Sequence, residues 1–124
     1  LGIGLGELGE MSARARAPIT MASACTVWAQ ADVIAHLNNK VPLEDIAAGV
    51  NNAMASRMAV LANSVGVERD VCMTGGVAKN DGVVTGLEKL LGVRIKRIRR
   101  SDPQMAGAIG AALFAQDRAN GGSR

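Results

Sequence analysis

The order of predicted elements in residues 70–119 constrains the fold more than any other feature of the sequence. The segment DVCMT, residues 70–74, is short, apolar and bounded, which predicts a buried strand. It is followed by the glycine loop GGVAKN, a helix over 81–92, a second strand over 93–98 and a small-residue helix over 102–119. This order implies a right-handed crossover and a parallel strand pair. Two strands are too few for the helices around them, so we expect further strands upstream.

Three helices are predicted before the first strand. A short helix over about 5–15 is ended by Pro18, a second covers 26–39, and a third covers 42–65 and ends at Gly66. On the second helix the following apolar residues share one face: Val27, Trp28, Ala31, Ile34 and Ala35. On the third helix the following apolar residues recur at about helical spacing: Ile46, Val50, Met54, Met58, Leu61 and Val65.

Composition and charge exclude several classes of protein. The chain has 124 residues, 48% of them hydrophobic, which is enough for one ordered domain. No apolar run reaches the roughly 18 residues of a membrane helix, and the acidic, glycine-rich start does not predict a signal peptide. Five of the 14 basic residues lie in residues 94–100, typical of a solvated strand end. With 2% aromatic residues the chain lacks base-stacking platforms, so no nucleic-acid partner is expected.

The two cysteines and the first residue add two expectations. Two cysteines without a framework spacing favour a reducing cytoplasm. The chain begins with Leu1, which suggests a piece of something longer.

The glycine loop is the first candidate for a ligand site. TGGVAKN places Gly75 and Gly76 at the carboxyl end of the predicted strand, where open α/β sheets bind ligands. Glycines allow close approach of the backbone to a ligand and a positive φ, and the amide groups of the following helix suit a phosphate. For a lone glycine pair, an ordinary tight turn is the more common explanation.

The whole pattern from strand and glycine pair to DPQMAGAIGAALFA resembles the last part of the actin, hexokinase and chaperone ATPase superfamily. With CTVWAQADVI, PLEDIAAGV and TGGVAKN it looks like one branch, the ATPase and activator subunits of benzoyl-CoA reductase and 2-hydroxyacyl-CoA dehydratase. The resemblance covers essentially residues 1–124. It implies an α/β fold: the carboxyl-terminal portion of an actin-like (ribonuclease H-like) ATPase domain, helix-rich with a short parallel strand pair. The segment VWAQADVI looks more like the corresponding segment of a benzoyl-CoA reductase subunit than that of a dehydratase activator.

The resemblance also implies site residues and cofactors. It places Gly75, Gly76 and Val77 along the nucleoside and α-phosphate of ATP. The residues implied to flank the adenine and ribose are Lys79, Asn80 and Gln104. Cys25 would be one of two cysteines per subunit that ligate a 4Fe-4S cluster between two subunits. A helix N-terminus stabilises a thiolate, whereas Cys72, inside the predicted strand, is expected to be a shielded, small hydrophobe.

Part of the family pattern is missing from this chain. No second cysteine occurs in residues 1–24, and the acidic, glycine-rich strands that hold the outer phosphates and Mg²⁺ are absent. We therefore expect residues 1–124 to be a carboxyl-terminal ATPase fragment that carries the adenosine side and no catalytic residue. By itself this fragment is expected to be inactive and free of cluster.

The function implied for the whole assembly is ATP-driven electron transfer. Reduced ferredoxin feeds the shared cluster, ATP hydrolysis moves the subunits, and partner subunits of this oxidoreductase reduce the aromatic ring of benzoyl-CoA, a step of anaerobic aromatic degradation. An activator of 2-hydroxyacyl-CoA dehydratase is the first alternative. A sugar or acetate kinase, which has no use for Cys25, and an actin-like assembly module are the others.

Overall fold

Five α-helices and two short 3₁₀ helices make up most of the computed structural model, which describes residues 2–21 and 26–121. In chain order the α-helices are α1 (Leu5–Ala13), α2 (Thr26–Asn38), α3 (Leu43–Val65), α4 (Asp81–Leu91) and α5 (Ala106–Ala119). The 3₁₀ helices are Gly76–Lys79 and Pro103–Met105. The five predicted helices are therefore confirmed, the last of them split into a 3₁₀ turn followed by α5.

Local start and stop residues explain where these helices begin and end. Pro42 directly precedes α3 with φ of −52° and ψ of 137°, and a proline is tolerated at a helix start because no intrahelical N–H bond is required there. Gly66 follows α3 with φ of 84°, and Gly92 ends α4 in the left-handed conformation with φ of 67°. Asn80 caps α4 with its side chain. These signals act within a few residues, so they were readable from the sequence.

The core forms where α3 packs against α4 and α1. Its buried cluster is Ala55, Ala59, Val83, Val84, Leu87 and Ile95, with Met58, Val71, Met73 and Leu91 packed against it. On α3 the deepest stripe has a spacing of four and consists of Ala47, Asn51, Ala55 and Ala59. Of the large apolar residues expected to mark one face of this helix, Ile46 is fully buried, whereas Leu61 and Val65 are 70% and 86% exposed.

The close approach of α3 and α4 explains why α3 buries the stripe that contains its alanines. A Cβ added at Gly86 of α4 would lie 3.0 Å from the Cβ of Ala55 on α3, which is tighter than most real contacts. Helix axes come this close only where the facing side chains are small. The alanine stripe of α3 therefore faces α4, whereas larger side chains on the other stripe would hold the helices apart.

The predicted strand pair is reduced to one bridge. Cys72 and Lys96 form an isolated parallel β-bridge, and the Lys96 N–H donates to the Val71 carbonyl over 2.8 Å. The parallel direction is as expected, but the extents 70–74 and 93–98 are not formed as strands. The side chain of Cys72 is exposed, so the expectation that a strand shields it is wrong. An isolated pair without neighbouring strands has few ladder hydrogen bonds to hold its length.

Two helices have little packing within the described residues. No residue of α5 is buried, and Phe114 is 75% exposed. On α2 the predicted apolar face includes Val27 and Trp28, both mostly exposed. Among the described helices, none is both long and apolar enough to cross a membrane.

Candidate functional site

The glycine loop is fastened to the turn that precedes α5. Gly75 has φ of 89°, and its N–H donates to the Pro103 carbonyl over 2.9 Å. A positive φ of this kind is strained for residues with a side chain. Gly76 begins the 3₁₀ helix, and positive φ occurs at Gly75 alone of the pair. The first glycine therefore makes the turn, and the second leaves backbone surface uncovered beside Gln104.

Three polar side chains connect the same two segments. The ammonium Nζ of Lys79 lies 2.6 Å from Asp102 Oδ2 and 3.5 Å from Gln104 Oε1. Asp102 Oδ1 accepts a hydrogen bond from the Gln104 N–H over 2.9 Å. The hydrogen bond from Lys79, followed by that from the Gln104 amide, holds the pKa of Asp102 below its ordinary value of 3.8. The carboxylate thus orients both the lysine and the glutamine.

Beside this network lies an open cavity of about 450 Å³, within the size range of small-molecule sites. The lining consists of Gly6, Gly76, Val77, Lys79, Asn80 and Gln104. Five of the six residues expected to bind the nucleotide thus share one cavity, and the sixth, Gly75, adjoins it in sequence. Sequence reasoning missed Gly6, because nothing in the glycine-rich start of the chain indicates that α1 forms a wall of this cavity.

The start of α4 differs from the expectation that its amide groups are free to hold a phosphate. Asn80 Oδ1 accepts from the N–H groups of Gly82 and Val83 at 3.0 and 3.3 Å. The first helical residue, Asp81, is acidic and pairs with Arg97 over 2.6 Å. Because these two N–H groups are engaged and a carboxylate lies beside them, the start of α4 does not offer them to a phosphate.

The described residues contain no complete site for the implied 4Fe-4S cluster or for Mg²⁺. Cys25 lies outside the described residues, directly before α2. Residues 2–21 and 26–121 contain no group of three or more Cys, His, Asp or Glu side chains arranged to hold a metal ion. Magnesium prefers several oxygen ligands, but Asp102 beside the cavity is engaged by Lys79. The described residues therefore do not fit a bound Mg²⁺.

Replacing Lys79 with glutamine is expected to raise the pKa of Asp102 part of the way back toward 3.8, because the bond from the Gln104 amide remains. The carboxylate form stabilises the fold above the unfolded-state pKa, and this contribution is lost as pH falls through the lower folded-state value. The effect on stability is small because the pair is half-exposed. Carbon-detected NMR titration of Asp102 measures the shift. Lys89→Gln is the control and leaves that pKa unchanged; an unchanged value in Lys79→Gln contradicts the ion pair.

Comparison with known proteins gives one family. A model described as the BadF/BadG/BcrA/BcrD ATPase family matches residues 1–115. The chain is 43% identical over 119 residues to the (R)-2-hydroxyglutaryl-CoA dehydratase activating ATPase of Acidaminococcus fermentans, covering 96% of this chain and 45% of that protein. It is 35% identical over 118 residues to a benzoyl-CoA reductase subunit of Thauera aromatica, covering 92% and 42%.

Solved structures agree with these matches. The activator of the 2-hydroxyisocaproyl-CoA dehydratase from Clostridium difficile with bound ADPNP superposes with a TM-score of 0.88 at 38% identity, over 95% of this chain and 43% of that one. Component A of the Acidaminococcus fermentans (R)-2-hydroxyglutaryl-CoA dehydratase gives 0.83 at 43% identity, over 90% and 42%. The chain spans less than half the length of these relatives. The predicted fold class, a helix-rich portion of an actin-like ATPase domain, is confirmed.

Proposed function

Because the chain belongs to the BadF/BadG/BcrA/BcrD ATPase family, we propose that it forms the adenosine side of the ATP site in a subunit that activates a CoA-dependent enzyme. In this proposal residues 1–124 are the carboxyl-terminal part of the ATPase domain. The solved relative with bound ADPNP supports nucleotide binding by this fold. The family membership leaves a sugar or acetate kinase and an assembly module without support.

One observation carries the nucleotide proposal. Five residues that the family resemblance implies at the nucleotide meet around one cavity: Gly76, Val77, Lys79, Asn80 and Gln104. The chemistry of the lining suits an adenosine. Val77 and the uncovered backbone of Gly76 offer apolar contact to the base, while the amides of Asn80 and Gln104 offer hydrogen bonds to base or ribose. Lys79, already neutralised by Asp102, orients Gln104.

We further propose that ATP hydrolysis in the complete subunit drives low-potential electron transfer. In this assignment Cys25 ligates a 4Fe-4S cluster that a second, homologous subunit shares. The chemistry that such a cluster supplies is one-electron transfer. Ferredoxin is the proposed electron donor, Mg²⁺ would be held by residues outside this chain, and the cytoplasm is the proposed compartment.

The acceptor enzyme that the comparisons favour is a 2-hydroxyacyl-CoA dehydratase. Identity is 39% and 43% to two dehydratase activators and 35% to the benzoyl-CoA reductase subunit, over similar lengths. This reverses the preference that VWAQADVI suggested. Benzoyl-CoA reductase, with ring-reducing partner subunits, stays the second candidate, because its matching subunit also aligns with most of this chain.

Replacing Gly6 with leucine tests the nucleotide site. Gly6 lines the cavity and a Cβ built there meets no atom within 4 Å, so a larger side chain at this position is expected to take up cavity space. ATP affinity in the complete subunit is expected to fall about tenfold or more, the effect of about 1.4 kcal/mol. Stability should be unchanged or slightly higher, since leucine favours a helix over glycine by up to about 1 kcal/mol. Calorimetric titration with ATP measures the affinity.

The matched control for this experiment is Gly107→Leu. Gly107 is also a helical glycine with nothing within 4 Å of its added Cβ, but it lies on α5 and does not line the cavity. This variant is expected to bind ATP as the unmodified protein does. Unchanged affinity in Gly6→Leu would show that the cavity does not hold the nucleotide.

A further inference from the structure

A polar side chain lies in the middle of the apolar contact between α3 and α4. Asn51 is 1% exposed and occupies the buried α3 stripe that also contains Ala47 and Ala55. Burying an amide in such a place costs free energy unless its hydrogen bonds are made. Asn51 makes two: Oδ1 accepts from Asn80 Nδ2 over 2.9 Å, and Nδ2 donates to the Leu8 carbonyl over 3.4 Å.

These two bonds join two walls of the nucleotide cavity. Asn80 lines the cavity directly, and Leu8 lies in α1, whose Gly6 lines it from the other side. The Asn51 side chain therefore hydrogen-bonds to both walls on the side away from the cavity. None of its own atoms lines the cavity.

The bond to Asn51 also fixes which way the Asn80 amide is turned. Asn80 Oδ1 caps α4 through Gly82 and Val83, and Nδ2 donates to Asn51. With both ends of the amide engaged, rotation by half a turn would break all three bonds. The orientation that Asn80 presents to the cavity is thus determined by a residue behind it.

The surrounding glycines leave room for this arrangement. A Cβ at Gly82 would overlap Asn51 Nδ2, and a Cβ at Gly9 of α1 would lie 3.1 Å from Asn80 Oδ1. A side chain at Gly82 would therefore displace Asn51, and one at Gly9 would crowd Asn80 where α1, α3 and α4 meet. We propose that Asn51 is a positioning residue for the nucleotide cavity, acting through Asn80 and through α1; this rests on the proposed ATP site.

A double-mutant cycle in the complete subunit tests this role. Asn51→Leu removes both hydrogen bonds while keeping the number and branching of the side-chain heavy atoms, and ATP affinity is expected to fall about fivefold, the equivalent of one hydrogen bond of about 1 kcal/mol. Asn80→Ala is expected to weaken binding at least as much. In the double variant Asn51→Leu should add less than it does alone, because the part of its effect that passes through Asn80 is gone. Full additivity of the two effects would overturn the role through Asn80.

A second variant and a stability control separate positioning from simple loss of stability. In Gly82→Ala the added methyl group would displace the Asn51 amide, so this variant is also expected to lower ATP affinity. It replaces Asn51→Leu in the test if that variant does not fold. Ala59→Gly destabilises α3 by up to about 1 kcal/mol, away from Asn80, and should leave ATP affinity unchanged. An equal loss of affinity in Ala59→Gly would show that Asn51 is only structural.

The outcomes also distinguish this inference from the proposed function. Suppose that Gly6→Leu loses ATP binding while Asn51→Leu and Gly82→Ala bind ATP normally. This result would support the nucleotide site and reject the positioning role of Asn51. Unchanged binding in Gly6→Leu and in Asn80→Ala rejects both.

Discussion

Replacing Cys25 with serine in the complete subunit is expected to abolish the proposed iron–sulfur cluster and the electron transfer proposed to depend on it. A 4Fe-4S cluster is held by four thiolates, and a serine hydroxyl is a poor replacement. Cys25 directly precedes Thr26, the first residue of α2. The partial positive charge at a helix start favours the thiolate form that binds iron. Iron content per subunit and the electron paramagnetic resonance spectrum of the reduced protein measure the loss.

Cys72→Ser is the matched control for this experiment. Cys72 is an exposed free thiol beside the β-bridge, and its substitution is expected to leave iron content and spectrum unchanged. Both serine variants should bind ATP nearly normally, because the cavity is built from other segments of the chain. A cluster signal that survives Cys25→Ser would exclude Cys25 as a ligand and remove the main support for electron transfer.

Adding one methyl group at Gly49 is expected to destabilise the protein by about 1–3 kcal/mol. A Cβ there would overlap the side chain of Ile19 and lie 2.6 Å from the Ile19 carbonyl oxygen. The backbone of this segment cannot easily retreat, since Asp45 Oδ1 accepts from the N–H groups of Arg16 and Ala17 at 2.8 and 2.9 Å. Urea unfolding of Gly49→Ala measures the change in free energy.

Gly107→Ala is the control, and its expected effect has the opposite sign. Alanine favours a helix over glycine by about 1 kcal/mol, and at Gly107 the new Cβ meets no atom within 4 Å. Equal stabilisation of Gly49→Ala and Gly107→Ala would contradict the packing of Ile19 on α3.

Local sequence signals determined the helices, whereas the resemblance to a known family supplied most residues of the candidate site. Pro42, Asn80 and the glycines at 66 and 92 bound α3 and α4 through interactions within a few residues, which need no knowledge of the rest of the fold. The motif residues proposed to bind the nucleotide likewise meet in one place, since they lie in two short segments joined by the contact between Gly75 and Pro103.

Tertiary packing decided what these local signals leave open. The distance between α3 and α4 selected the alanine stripe of α3, although larger apolar residues lie on a neighbouring stripe. Only the assembled helices bring Gly6 of α1 to the cavity and Asn51 of α3 to Asn80, residues 29 apart in the sequence. Helix boundaries depend on neighbours along the chain, whereas buried faces and cavity walls depend on which elements approach closely in space. That is why no local pattern in the sequence pointed to Asn51 or Gly6.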